Sequence, residues 1–328
     1  MAATDSDAGG FSDVLVERQD AGAIHQQRGA FTVRFWGVRG SYPVSRAEML
    51  QVGGNTACIE VQVGGHEIIL DAGTGLIALG ESLRQHLTGA SSTITLLFSH
   101  LHYDHILGLP FFEPLYQPGV KLYLGGPRMG GKAFDEVLCR AITSPYFPVD
   151  LREAPATCEF YTLETGDEMC WRAGELAPTV KRAGFDGKAD LARSEEVRVS
   201  FLHSQAHPTT GCLVSRVEYG GRSLVFATDV ENPLGNDQQL IDFARGADVL
   251  VHDAQYTEDA YTASKRGFGH STPQMATAVA RAAGVKQLIL FHHDPEYDDA
   301  LLERMEQAAR GEFSRMLLAR EGLELALL

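Results

Sequence analysis

From Ser99 to His105 the chain reads Ser-His-Leu-His-Tyr-Asp-His, three imidazoles and a carboxylate directly behind the apolar run ITLLF of residues 94–98. In an extended segment alternate side chains share a face, so His100 and His102 can address one ion. Asp104 and His105 lie past the turn and can address a second position nearby. Imidazole and carboxylate suit zinc, manganese or iron. Four donors so close in sequence cannot easily close two coordination shells, so other strand ends must contribute.

Three further residues have the right type and the right predicted placement. His207 sits in AHPTTG between two predicted strands, Asp229 ends RSLVFATD, and His292 ends KQLILF. A carboxylate has two oxygens and can bridge two ions. The reading places His100, His102, His207 and Asp229 around one metal and Asp104, His105, His292 and Asp229 around another. Two divalent ions are expected, roughly 3.5–4 Å apart as in two-metal hydrolases. Zinc is the first choice because the set is nitrogen-rich, with manganese as the alternative. Taken singly, a histidine at a strand end is more often a surface or core residue, and an aspartate there more often a cap. The ordered set of seven carries the assignment.

The other histidines take ordinary roles. His25, His66 and His86 fall in a tail, a turn and an amphipathic helix, and His203 is read as structural. His293 follows His292 on a strand, so the two point to opposite faces and only one can be a ligand. His252 faces away from Asp253 for the same reason.

The elements that must hold these residues follow from hydrophobic period and turn chemistry. Strands are expected over 31–38, 57–63, 66–72, 92–99, 120–126, 197–204, 211–220, 222–229, 248–254 and 286–293, with a last strand at the end of the chain. Helices are expected over 75–87, 132–142, 237–246, 272–284 and 298–313. Thr272, Pro273 and Gly284 supply the N-cap, the first position and the stop of the fourth. Residues 143–196 read as irregular, with CEFYTLE (158–164) their best strand and 181–196 an exposed insertion. Glycines in GVRG and GGN mark tight loops, and Asn55 and Asp71 are candidates to brace the loop beneath the metals. Runs of strands with helices between and after them fit two packed sheets with helices outside. No Pro/Ser-rich linker divides the chain, so one domain over 30–328 is expected, preceded by a flexible tail over 1–29.

The bulk numbers narrow the function classes. A formal charge of −15 over 328 residues repels polyanions, which argues against a nucleic-acid partner. Five cysteines without a CxxC pair speak against a disulfide framework or a thiolate zinc cluster. The start, MAATDSDAGG, has no basic region leading into an apolar run, and no apolar run is long enough to span a bilayer. A cytoplasmic protein is expected.

The succession SHLHYDH, AHP, FATD, GHST and LFHH resembles the metallo-β-lactamase fold superfamily over residues 31–328. The resemblance implies an α/β fold, an αββα four-layer sandwich with the site along one edge of its sheets. GFGHSTPQMATAVARAAGVKQLILFHH is similar to the corresponding stretch of ribonuclease Z and related phosphodiesterases. It implies that His270 stands beside the scissile phosphate, paired with Asp253 from VHDAQYT. FWGVRGSYPV, GGNTACIEV, ILDAGTGL and FHHDPEYDD resemble a bacterial branch related to cyclic-nucleotide phosphodiesterases, which includes the anti-Pycsar enzymes and their cellular homologues. That resemblance implies a homodimer acting on a small cyclic nucleotide.

Two ions lower the pKa of a bound water to roughly 7, giving a hydroxide that can attack phosphorus. The expected catalytic residues are Asp104, His270 and Asp253: His270 serves the departing oxygen, Asp253 orients its ring, and the helix N-terminus beyond favours an anion. Arg39 and Ser271 are the candidate substrate contacts. The expected activity is hydrolysis of a 3′,5′-cyclic nucleotide. The alternatives are a ribonuclease Z-like transfer-RNA endonuclease, a lactonase or β-lactamase-type carbonyl hydrolase, and a non-catalytic nucleotide sensor.

Overall fold

A computed structural model describes residues 15–17, 29–84, 92–182, 195–233 and 236–328. Two eight-stranded sheets lie face to face. In the first the order is Leu15–Glu17, Glu324–Ala326, Phe31–Gly37, Cys58–Val63, His66–Leu70, Ser92–Leu97, Val120–Pro127 and Thr157–Leu163. In the second it is Met316–Leu318, Gln287–Phe291, Val249–Asp253, Arg222–Ala227, Cys212–Tyr219, Val197–Ser204, Glu168–Trp171 and Thr179–Lys181.

Hydrophobic alternation explains the layers. Phe31, Val33 and Phe35 are buried on one face of their strand, while Thr32, Arg34 and Trp36 on the other are half-covered. The inward faces of both sheets merge in one apolar cluster, with Phe291 packed 6.1 Å from Phe35 and 5.6 Å from Phe226. Val249–Asp253 and Gln287–Phe291 are buried throughout, as central parallel strands covered on both faces must be. Leu240, Val279 and Leu302 join this cluster from helices Gln238–Ala244, Pro273–Ala283 and Asp299–Arg310. Helices Gly75–Arg84 and Phe134–Ala141 contribute Leu79 and Leu138 to a second cluster on the first sheet. The order helix, sheet, sheet, helix is the expected αββα sandwich.

Each sheet changes from antiparallel to parallel pairing along its length. Cys58–Val63 and His66–Leu70 form a hairpin, after which Ser92–Leu97 and Val120–Pro127 run parallel. Cys212–Tyr219 and Arg222–Ala227 form another, followed by parallel Val249–Asp253 and Gln287–Phe291. The chain therefore leaves several neighbouring strands in the same direction. Asp71, Ser99, Asp229, Asp253 and His292 all lie at such carboxyl ends. This parallel geometry makes one edge the natural place for a site.

Two stretches differ from expectation. Residues 143–196 are not wholly irregular: Glu168–Trp171 and Thr179–Lys181 pair with each other, and Glu168–Trp171 pairs with Val197–Ser204. Runs of three or four residues are too short to show a period in sequence. Leu15–Glu17, inside the segment read as a tail, pairs with Glu324–Ala326 at the edge of the first sheet. The rest of 1–28, with His25, lies outside the described residues, as do His86 and positions 183–194 of the expected insertion. The helix at Pro273 begins as anticipated: Thr272 Oγ1 accepts from the Met275 N–H, and Gly284 closes it at φ 65°. All five cysteines are unpaired. No helix among the described residues is long and apolar enough to cross a membrane.

Candidate metal centre

The seven expected ligands converge. Donor atoms of His100, His102, His207 and Asp229 lie within 4.8 Å of one another, and so do those of Asp104, His105 and His292. Asp229 stands between the groups and divides its oxygens. Oδ1 lies 3.3 Å from His105 Nε2 and 3.2 Å from His292 Nε2. Oδ2 lies 3.6 Å from His100 Nε2 and 3.8 Å from His207 Nε2. Asp104 Oδ2 completes the second group, 3.4 Å from His105 Nε2 and 3.3 Å from His292 Nε2.

The donor chemistry fits divalent cations. His207 Nε2 faces His102 Nδ1 at 3.2 Å, and His292 Nε2 faces His105 Nε2 at 3.3 Å. Two imidazole nitrogens facing each other this closely can share one cation between them. His100 Nε2 is buried and has no hydrogen-bond partner. A buried polar nitrogen without a partner is costly, and an ion would satisfy it. Zinc or manganese would be held by these nitrogens and carboxylates.

In His100, His105, His207 and His292 the other ring nitrogen is held from behind, as metal-ligating histidines require. His105 Nδ1 bonds Asp71 Oδ2 at 2.7 Å. Asp71 also accepts the Ser99 N–H and hydroxyl, and Ser99 Oγ contacts His100 Nδ1 at 3.1 Å. His207 Nδ1 meets the Gly269 carbonyl at 3.1 Å, and His292 Nδ1 meets Gln255 Oε1 at 3.0 Å. Asp104 Oδ2 accepts the Ser41 N–H at 2.6 Å. Close approach also fixes two glycines. A Cβ on Gly40 would stand 2.5 Å from the His292 ring, and one on Gly269 would stand 2.4 Å from His207 Nδ1.

Backbone strain gathers at the same edge. Ser41, Asp71, Asp229 and His292 have φ of 63°, 62°, 52° and 61°, in the left-handed region that non-glycine residues rarely enter. Each costs on the order of 1–3 kcal/mol and persists because the surrounding bonds hold it.

Electrostatics prepares the donors. Burial pushes His100 well below its usual range, with His105 adding to the effect, and burial also lowers His102 and His207. These rings are neutral and ready to bind a cation. Burial opposes the charge on Asp229, but His292, His105 and His100 together hold its pKa well below normal. His105 moves upward: burial disfavours its charge, yet Asp104, Asp229 and Asp71 outweigh it.

His270 stands beside the second group. Its Nδ1 lies 2.8 Å from Asp253 Oδ2, and its ring stacks on His292 at 5.0 Å. Against burial, Asp253 lifts its pKa to about 9. About a tenth of its side chain remains exposed while Asp253 is sealed. The hydrogen bond through Nδ1 leaves Nε2 for the open side.

Two expected contacts need correction. Arg39 is fully buried, and its guanidinium is spent on the carbonyls of Gly53, Asp294, Tyr297 and Met49. It ties loops together and cannot meet a substrate. Ser271 is likewise buried, its Oγ donating to the Val230 carbonyl and accepting from the Asn232 N–H. His293 turns away from the site toward the Ala319 carbonyl, and His252 Nδ1 bonds its own strand at the Asp253 carbonyl. Among the described residues the His203 ring bonds Gln205. Asn55 is held by Glu321, away from the ligands. Gln255 and Glu231 escaped the sequence reading: a glutamine after a strand and a glutamate in a loop carry no spacing signal.

An αββα sandwich with histidines and aspartates gathered at the carboxyl edge of its parallel strands defines a metallo-β-lactamase-fold hydrolase. The beta-lactamase superfamily domain matches residues 66–293, and the chain belongs to that superfamily. Among curated relatives, ribonuclease Z of Haloarcula marismortui is 27% identical over 320 residues, covering 89% of this chain and 95% of that protein. The metallo-beta-lactamase fold protein YhfI of Bacillus subtilis superposes with a TM-score of 0.58 at 18% identity, covering 91% of this chain and 99% of that one. A diphosphatase of the PhnP family superposes at 0.59 with 18% identity, covering 90% and 96%.

Proposed function

We propose that the protein is a dinuclear metal-dependent phosphodiesterase that opens a 3′,5′-cyclic nucleotide to its monophosphate. The observation that carries this is the His270–Asp253 pair beside Asp229 and His292, with which it shares a cluster of donors within 4.8 Å. Two divalent ions in the ligand groups would supply Lewis acidity and a nucleophile from water at neutral pH. The chain's own part is positional and acid–base. Asp253 fixes the His270 ring through Nδ1, and His270 Nε2 hands a proton to the departing oxygen. Asp104 and Asp229, whose two oxygens face different ligand groups, would keep the charge of the site negative enough to hold two cations.

A lactonase would also expel an alkoxide, and it is the likeness to ribonuclease Z relatives that favours phosphorus over carbon here. A sensor would not need the pair at all. A ribonuclease Z-like endonuclease is the second reading, favoured by the curated relatives bearing that name. Against it, a −15 chain suits counterion-driven RNA binding poorly. We further take the enzyme to be cytoplasmic and homodimeric; exposed Tyr103, Leu107 and Phe111 beside the metal loop support the second of these readings.

One sample loaded in turn with zinc and manganese is to be tested on cyclic AMP, cyclic GMP, an unprocessed transfer RNA and a lactone. Release of nucleoside monophosphate from a cyclic nucleotide, with transfer RNA intact, is the expected result. Cleavage of the transfer RNA alone would transfer the assignment to the endonuclease, and lactone opening alone would sink both.

A further inference from the structure

Between Asp253 and His270 the chain makes a detour, and its two ends are bolted to the metal edge. Glu231, two residues past Asp229, accepts from the Gly267 N–H at 2.7 Å, the Gly269 N–H at 2.8 Å and the Tyr261 hydroxyl at 2.8 Å. The Gly269 carbonyl in turn meets His207 Nδ1. The segment Tyr261–Gly269 is thus held by a carboxylate on one side and a ligand histidine on the other.

Its outer side carries a ring and a cation. Phe268, two positions before His270, is 54% exposed. Lys265 Nζ lies 5.6 Å from the Phe268 ring centroid and 5.4 Å from that of Tyr256. Tyr256 is buried, and its ring meets His270 edge-on at 5.7 Å and 88°. Phenyl, ammonium, phenol and imidazole therefore run unbroken from solvent to the catalytic pair. Among the described residues no carboxylate lies within ion-pair distance of Lys265; Asp294 is the acid whose ionisation it favours.

A lone exposed phenylalanine needs no explanation by itself. Here the backbone on both sides of the ring, two positions from His270, is pinned by Glu231, and the Lys265 ammonium lies against the ring. A chain of net charge −15 repels an anionic substrate, and a local ammonium beside the entrance offsets that field. A phenyl face attracts cations and other flat rings, and with Lys265 already supplying the cation a flat ring is the complement left for a ligand.

We propose that Phe268 and Lys265 form a recognition ledge, with a planar heteroaromatic base stacked on Phe268 and the substrate's negative charge met by Lys265. The proposal deepens the phosphodiesterase reading and rests on it only for the anion being a phosphodiester. It makes the preferred substrate a nucleotide rather than a sugar phosphate.

The test separates the two ideas. On metal-loaded full-length protein, calorimetry compares AMP with ribose 5-phosphate, which requires no turnover. Wild type should bind AMP about tenfold more tightly, the scale of one base stacked on an aromatic ring. Phe268→Ala should erase the difference, Phe268→Tyr should restore it, and Lys265→Met should weaken both ligands. In turnover, Phe268→Ala should raise KM for cyclic AMP about tenfold with a much smaller change in kcat. The base-free methyl riboside cyclic phosphate should be affected far less. Equal affinity of wild type for AMP and ribose 5-phosphate, or equal losses on both cyclic substrates, overturns the ledge. A tenfold AMP preference in a protein that cleaves no diester upholds the ledge and overturns the phosphodiesterase instead.

Discussion

Asp71 Oδ2 accepts from His105 Nδ1 at 2.7 Å, a bond between two fully buried side chains 34 positions apart. It fixes the tautomer, so that His105 presents Nε2 to Asp229 and Asp104. Asp71 also anchors Ser99, and so governs the backbone from which His100 and His102 project. Asp71→Asn keeps the size and loses the charge. It should weaken metal affinity by roughly 10–100-fold. Competition against a chelator of known affinity measures this, and an unchanged affinity would reduce Asp71 to a loop cap.

Asp229 is the one residue that touches both ligand groups through different oxygens. Asp229→Ala should therefore remove both ions and activity together, where His102→Ala at the exposed rim should cost mainly one ion. Metal analysis after gel filtration gives the count per chain. Two ions retained by Asp229→Ala would mean that the carboxylate does not bridge.

His270 lies next to the ligands but is held by Asp253. His270→Ala should keep its full metal content and lose roughly 10²–10⁴-fold in kcat on a cyclic nucleotide. A substrate with an activated leaving group, such as a p-nitrophenyl ester, needs less help from an acid and should be spared most of that loss. Equal losses on both substrates would exclude a role in protonating the leaving oxygen.

The histidine-rich motif and the strand-end aspartates were legible because each has a residue type and a position that a single sequence displays. Alternation told that only one of His292 and His293 could face the metals, and the structure turns His293 away toward the Ala319 carbonyl. Arg39 and Ser271 were misread for a different reason. A charged or hydroxyl residue near a motif looks the same in sequence whether it opens to substrate or closes on backbone carbonyls. Gln255, Glu231 and the Gly269 carbonyl were invisible because they act through contacts across tens of residues. The short strands Glu168–Trp171 and Thr179–Lys181 were missed because edge pairing, rather than propensity, makes them.

Arg39 gives a test of that correction. Its buried guanidinium satisfies four backbone carbonyls and lies 3.8 Å from Asp299. Arg39→Met keeps apolar bulk but strands those acceptors, so it should destabilise by about 3–5 kcal/mol. Urea unfolding followed by circular dichroism reads the loss. The fraction that remains folded should show an unchanged KM; a raised KM at full folding would return Arg39 to the substrate.

Asp248 allows a pH prediction far from the metals. It is buried at the base of Val249–Asp253, bonded to Lys286 Nζ at 2.7 Å, the Ser223 N–H at 2.8 Å and Arg222 Nη1 at 3.1 Å. Burial alone would raise its pKa, but Lys286, then the Ser223 N–H and Arg222, hold it below the usual value. A carboxylate depressed on folding contributes stability above its unfolded pKa of about 3.9 and loses that contribution as pH falls toward the folded value. Wild type should thus exceed Asp248→Asn in stability at pH 7 by a gap that stays level down to about pH 4 and narrows below it. Denaturation midpoints of the two proteins across that range measure the gap. One that widened in acid would mean the carboxyl is favoured in its neutral form, and the three donors around it would need another explanation.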